Sequence, residues 1–144
     1  MKILVCDEIS EKGLSILKAI PHSSVDVRTK LSEAELIKVI PGYEAAVVRS
    51  ATRITSQVLE AGKKLKVVAR AGMGYDNIDI DTATKRGVVV MNTPGANSVA
   101  TAEHTIAMMM ALARHIPQAH RSMTSGKWEK KDFVGTEFLG KTLA

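Results

Sequence analysis

Two segments of this chain combine side chains and backbone suited to holding an anion. Arg49-Ser50 follows directly on the apolar run Ala45-Ala46-Val47-Val48. A guanidinium there can grip a carboxylate or phosphate through two parallel hydrogen bonds, with Ser50 adding a hydroxyl and a backbone amide. The plainer alternative is a solvated arginine at a strand end. Arg70-Ala71-Gly72-Met73-Gly74-Tyr75-Asp76-Asn77 is the second segment. Gly72 and Gly74, at alternate positions after a strand, allow positive φ and outward-facing amides, a nest for an anionic group. A tight turn that needs glycine only for its shape is the alternative. The segment is not a nucleotide fingerprint, because G-x-G-x-x-G occurs nowhere in the 144 residues.

Other reactive residue types carry less. Glu103 near the start of a helix complements the helix dipole without further purpose. His104 has no Cys or His at metal-ligand spacing, and His22, His115 and His120 are expected to face solvent, so no metal site is expected. Met108-Met109-Met110 reads as core or interface packing.

The elements that must position these residues follow from the apolar pattern. Ile3–Cys6, Val25–Val27, Ala45–Val48, Lys66–Ala69 and Val88–Met91 read as strands. Between them, 10–19 reads as a helix with Leu14, Leu17 and Ile20 on one side. A capping box, Ser32 with Glu35, opens a helix over 33–40 that Pro41-Gly42 stops. Thr55 caps a helix to about Ala61, and Asp79 or Asp81 opens a short helix closed by Gly87. Continuous apolar strands alternating with helices predict a parallel sheet covered on both faces. Ligands of such sheets bind beyond the carboxyl ends of the strands, which selects Asp7, Arg49-Ser50, Arg70–Asn77 and Asn92–Asn97. From Ser98 to about Ala119 one long helix is expected, with Val99, Ala102, Ile106, Met109, Ala113 and Ile116 at helical spacing and Pro117 as a point of termination or kinking. Residues 122–140 are polar around Trp128, Phe133 and Phe138 and cannot form a core alone. Gly140 to Ala144 reads as a turn and the start of a strand left incomplete, so the expectation is a piece of a longer protein.

Composition narrows the function classes. Hydrophobic residues are 45% and charged residues 24%, ordinary for a globular protein. No apolar run approaches the roughly 20 residues that span a bilayer, and Met1-Lys2 leads into a strand and not a secretory signal. A single cysteine, Cys6, excludes an intrachain disulfide, and a cytoplasmic location is expected. The net charge of +5 is spread along the chain, with 14 Lys/Arg against 11 Asp/Glu in residues 1–97 and 6 against 4 in 98–144. Without a basic stripe or aromatics to stack on bases, neither nucleic acid nor membrane is expected as a partner; small anionic substrates are.

Taken in order, the blocks Arg49-Ser50-Ala51-Thr52, Arg70 to Asn77, Lys85-Arg86-Gly87, Met91-Asn92-Thr93-Pro94, Ala102-Glu103-His104-Thr105, Gly126-Lys127-Trp128 and Gly140-Lys141-Thr142-Leu143 resemble the NAD-dependent D-2-hydroxyacid dehydrogenases over essentially the whole chain. The resemblance implies a flavodoxin-like substrate-binding domain over residues 1–97. Residues 98–144 would then hold a linking helix, a dimerisation arm and the beginning of a Rossmann domain truncated before its fingerprint. It implies that Arg49, Ser50 and Arg70 bind the substrate's phosphate or carboxylate and that Gly72 and Gly74 offer amides to the carboxylate. Met73 would touch NAD near the nicotinamide. The implied reaction is oxidation of 3-phosphoglycerate to 3-phosphohydroxypyruvate in serine synthesis. Relatives that reduce glyoxylate or hydroxypyruvate, or a NAD-sensing corepressor, are the alternatives. The family's catalytic arginine, glutamate and histidine match no position here, so the chain alone is expected to be inactive, and pairing of two copies through residues 98–140 is implied.

Overall fold

The computed structural model describes residues 1–143 and falls into two compact units, Met1–Ala96 and Asn97–Ala144. In the first, five strands alternate with four helices: β1 (Lys2–Val5), α1 (Glu11–Lys18), β2 (Ser24–Val27), α2 (Glu33–Val39), β3 (Ala45–Val48), α3 (Ser56–Ala61), β4 (Val67–Arg70), α4 (Ile80–Lys85) and β5 (Val89–Met91). All neighbours pair in parallel, in the order β2-β1-β3-β4-β5. This is the flavodoxin-like order that the family resemblance implies. Its topological switch lies between β1 and β3, where the chain stops adding strands on one side and begins on the other.

The order also dictates where the helices lie. Right-handed crossovers put the helix of β1→β2 on one face and those of the oppositely directed connections on the other. Accordingly Leu14 and Leu17 of α1 pack with Ile3, Val5, Ala45 and Val47. Leu36 of α2, Val58 and Leu59 of α3 and Ala83 of α4 join Leu4, Ala46, Val48 and Val68 on the opposite face. β3 is buried along its whole length because both faces are covered, which is why it reads as an unbroken apolar run.

Local signals place the helix ends. Ser10, Ser32, Thr55 and Asp79 each accept a backbone N–H of the first turn that follows, and Ser32 with Glu35 completes the capping box. Asp79, not Asp81, is therefore the cap of α4. Beyond α2, Pro41 does not stop the chain outright but leads a 3-10 turn over Ile40–Gly42, a conformation its fixed φ tolerates near a helix start.

The second unit departs from expectation. In place of one helix to about Ala119 there are two, α5 (Ser98–Ala113) and α6 (Ile116–Thr124), separated at His115 with φ 51°. Pro117 has no N–H, and its ring excludes the carbonyl four residues back in a continuous helix. That carbonyl belongs to Ala113, and it accepts instead from Thr136 N–H at 2.8 Å. The chain after α6 thus returns to finish α5, and Gly135 makes the approach possible, since a Cβ there would fall on the Ala113 carbonyl oxygen. No residue of α5 is buried, so Met108–Met110 are not core of this chain. A 3-10 turn spans Lys130–Phe133, and Trp128 is 77% exposed. Lys141–Leu143 form no strand, and Ala144 lies outside the described residues.

Candidate functional site

The loops leaving β1, β2 and β3 enclose a cavity of about 590 Å³, lined by Asp7 and Glu8, by Thr29–Ser32 with Glu35, and by Arg49–Thr52. It opens at the switch point of the sheet, where a parallel α/β fold presents strand ends diverging to either side. Its volume lies within the range of small-molecule sites.

Arg49 and Ser50 are exposed at this edge. The turn that carries them is held from beneath. Arg49 N–H donates to Asp7 Oδ2 at 2.5 Å, Thr52 N–H to the same oxygen at 3.2 Å, and Thr52 Oγ1 to Asp7 Oδ1 at 2.7 Å. On the carbonyl side Asn77 Nδ2 donates to Arg49 O at 2.7 Å and to Thr52 O at 2.6 Å. Arg49 Nη1 reaches the Glu8 carbonyl at 3.3 Å, which leaves most of its donors free. Cys6, directly before Asp7, is fully buried, and burial followed by the adjacent Asp7 carboxylate pushes its thiol up to about 12. It is therefore no nucleophile at neutral pH.

Arg70 lies differently from Arg49. It ends β4 at the register position of Val48, with only 9% of its surface exposed. Its guanidinium lies under the glycine loop, where Nη1 meets Asp76 Oδ1 at 3.2 Å, and Nε is buried without a hydrogen-bond partner among the described residues. The loop also corrects the nest reading. Neither Gly72 nor Gly74 has positive φ, and Gly72 N–H turns back to Arg70 O at 2.9 Å. Position 74 is crowded for another reason: a Cβ would lie 2.5 Å from Arg70 Nη1 and 2.9 Å from Asp76 Oδ1, so those two side-chain ends would have to shift. The constraint there is a close approach and not a backbone conformation. Met73, 44% exposed, presents its side chain to solvent while Asn92 Nδ2 fixes its carbonyl at 2.6 Å.

Of the residues singled out in the sequence, Arg49 and Ser50 share the cavity, whereas Arg70, Gly72, Met73 and Gly74 lie outside its lining. The two loops are nonetheless joined: Ala71 N–H donates to Val48 O at 2.8 Å, and Asn77 grips the Arg49 turn. Sequence reading placed Asp7 and Asn77 at the right edge without their part in holding the turn, and it missed Thr52 and the Arg70–Asp76 pair. Asp7 carried a usable signal, an acidic residue directly after four buried residues. Among the described residues no cluster of His, Cys, Asp or Glu could hold a metal ion, and no helix is long and apolar enough to cross a membrane.

Comparison with known proteins places this geometry. Residues 3–139 match the family described as D-isomer specific 2-hydroxyacid dehydrogenase, catalytic domain. The chain is 53% identical over 99% of its length to D-3-phosphoglycerate dehydrogenase of Synechocystis sp. and 52% identical over 99% to that of Archaeoglobus fulgidus. It spans about a quarter of these relatives, 25% and 27% of their lengths. Among solved structures, a Thermus thermophilus protein superimposes with a TM-score of 0.86 at 30% identity, over 96% of this chain and 46% of that one. The NAD+-bound 3-phosphoglycerate dehydrogenase of Entamoeba histolytica gives 0.71 at 34% identity, over 79% and 39%. A sheet in the order 2-1-3-4-5, an arginine turn at its switch point and a sequence match over nearly all of its length identify this chain as a member of the D-isomer-specific 2-hydroxyacid dehydrogenase family.

Proposed function

We propose that the chain is the substrate-binding part of an NAD-dependent D-3-phosphoglycerate dehydrogenase, and that its own task is to hold the anionic substrate. The observation that carries this reading is the Arg49-Ser50 turn, exposed beside a cavity of about 590 Å³ at the sheet switch point, in a chain 53% identical to an enzyme of that name.

The residues divide the work by chemistry. Arg49 offers free guanidinium donors and Ser50 a hydroxyl to the substrate's phosphate or carboxylate. Arg70, largely buried with an orphaned Nε and paired with Asp76, adds positive charge beneath the Gly72–Gly74 loop, in keeping with an anionic group bound nearby. NAD, when bound, accepts the hydride from C2 of the substrate. Met73, exposed on a loop whose carbonyl Asn92 holds, is the position that would touch NAD in this reading. Residues 1–97 form the substrate-binding domain in this reading, and residues 98–140 pair two copies of the chain, consistent with an α5 that leaves Val99 72% and Leu112 75% exposed. A cytoplasmic enzyme of serine synthesis fits the reading.

Calorimetry of the purified chain with 3-phosphoglycerate tests it. Saturable heat is expected, and Arg49→Ala should weaken binding roughly tenfold or more, the worth of a hydrogen bond to a charged group. Absence of heat, or an unchanged affinity in Arg49→Ala, overturns the assignment. The chain by itself is expected to be inactive, and steady NAD reduction with 3-phosphoglycerate would refute that.

A further inference from the structure

The turn that presents Arg49 and Ser50 poses an electrostatic puzzle, because a buried carboxylate sits directly beneath it. Asp7 is 7% exposed and Asn77 8%. Between them they engage both N–H groups and both carbonyls at the ends of the four-residue turn. Asp7 takes the amides of Arg49 and Thr52, and Asn77 gives one proton to each of their carbonyls. Thr52, also 7% exposed, adds its hydroxyl to Asp7 at 2.7 Å. The partners come from chain segments far apart, Asp7 from the end of β1 and Asn77 from the loop before α4. A backbone bridge between Ile54 and Ile78 ties the Asn77 segment alongside.

Using up the end groups leaves the middle of the turn available. Ser50 and Ala51 are exposed, and among the described residues their N–H groups donate to no protein acceptor. Two free amides, the Ser50 hydroxyl and the Arg49 guanidinium thus share one short, fixed segment. Donors already fixed in place lose little freedom when a ligand arrives, and so bind it more tightly than the same donors on a mobile loop.

We infer that Asp7 and Asn77 are positioning residues of the anion site, and that the Asp7 carboxylate strengthens anion binding by locking the Arg49–Thr52 turn although its charge opposes the ligand's. The inference rests on the reading of Arg49 as an anion ligand. Its distinguishing consequence is a sign. Were Asp7 only a structural or electrostatic neighbour, replacing it by the neutral isostere would leave anion affinity unchanged or raise it, because one negative charge near the ligand is gone. Were it the lock, the same replacement would lower affinity. The asparagine oxygen would still accept the Arg49 and Thr52 amides, but without the charge that strengthens both bonds, and its NH2 would face the Thr52 hydroxyl where an acceptor had been, so the turn would loosen.

The test is calorimetry of the whole chain with 3-phosphoglycerate, below the melting temperature of every variant, using Asp7→Asn, Arg49→Ala and the double variant. The expected result is a fall in affinity of roughly five- to tenfold for Asp7→Asn, the worth of about one ordinary hydrogen bond. In the Arg49→Ala background the same change should have less than about a twofold effect, since residues acting through one another are not additive. Thr52→Val removes only the hydroxyl that Asp7 accepts, keeps the charge, and should weaken binding in the same direction; it decides the matter if Asp7→Asn does not fold. Equal or tighter binding in Asp7→Asn, or in Thr52→Val where that variant decides, overturns the positioning role while leaving the anion site standing. An Arg49→Ala variant that binds like the unaltered chain removes the anion site itself, and the inference with it.

Discussion

Raising the pH should destabilise this protein in part through one thiol. Cys6 directly follows β1 with no exposed surface, and burial together with the neighbouring Asp7 carboxylate raises its pKa from 9.0 to about 12. The folded chain therefore keeps the Cys6 proton to a higher pH than the unfolded chain does. Stability that depends on this group is complete below about pH 9 and is lost as pH climbs toward 12, at up to about 1.4 kcal/mol per pH unit. At pH 10.5 the interval above the unfolded value is 1.5 pH units, so the loss is about 2 kcal/mol, a sizeable share of the 5–15 kcal/mol typical of a domain. Lysines and tyrosines also titrate there, so the measurement is a difference. Urea unfolding of the unaltered chain and of Cys6→Ala, at intervals from pH 8 to 10.5, gives two stability curves. Cys6→Ala costs stability at pH 8 because it leaves a cavity. The gap between the curves should then narrow by about 2 kcal/mol as the thiol in the unaltered chain begins to ionise on unfolding. A gap constant across that range would show that Cys6 titrates alike folded and unfolded, and the burial reasoning would fail.

Two further outcomes follow from local geometry. Gly135→Ala should disrupt the end of α5, since the added Cβ falls on the Ala113 carbonyl and lies 2.9 Å from Arg114 Cα. A cost of about 1–3 kcal/mol is expected, read as a tenfold or greater loss of hydrogen-exchange protection at the Thr136 amide, with Gly42→Ala in open space as the silent control. Hydrogen bonds from the Ser32 hydroxyl and backbone hold the Glu35 carboxyl below its ordinary range. The capping box should thus support α2 fully above that range and be lost as pH falls through the lowered folded-state value; Ser32→Ala should flatten this acid dependence in thermal melts, and an unchanged profile would exclude the box as its cause.

How far the sequence could be read depended on the range of the interaction. The five strands, the caps at Ser32 and Thr55, and the edge carrying Arg49 and the glycine loop were legible because periodicity and capping act within a few residues. The long helix was expected to end or kink at Pro117, and the break falls earlier, at Arg114-His115, because Pro117 removes the bond to the carbonyl four residues before it. The glycine loop was misread for a different reason. Positive φ is the usual demand on glycine, and nothing near Gly74 in the chain shows that the Arg70 guanidinium passes beneath it.

By itself, then, the sequence determined the order of elements, the parallel sheet, and the residue types available to grip an anion. Tertiary structure alone decided which of them are free to do so. Arg49 stays exposed beside the cavity, while Arg70, the same residue type at a neighbouring strand end, lies buried against Asp76. It also decided what holds the Arg49 turn. Its partners lie 42 residues upstream at Asp7 and 28 residues downstream at Asn77. No pattern of neighbouring residues encodes those separations; only the pairing of β1, β3 and β4 brings the three together.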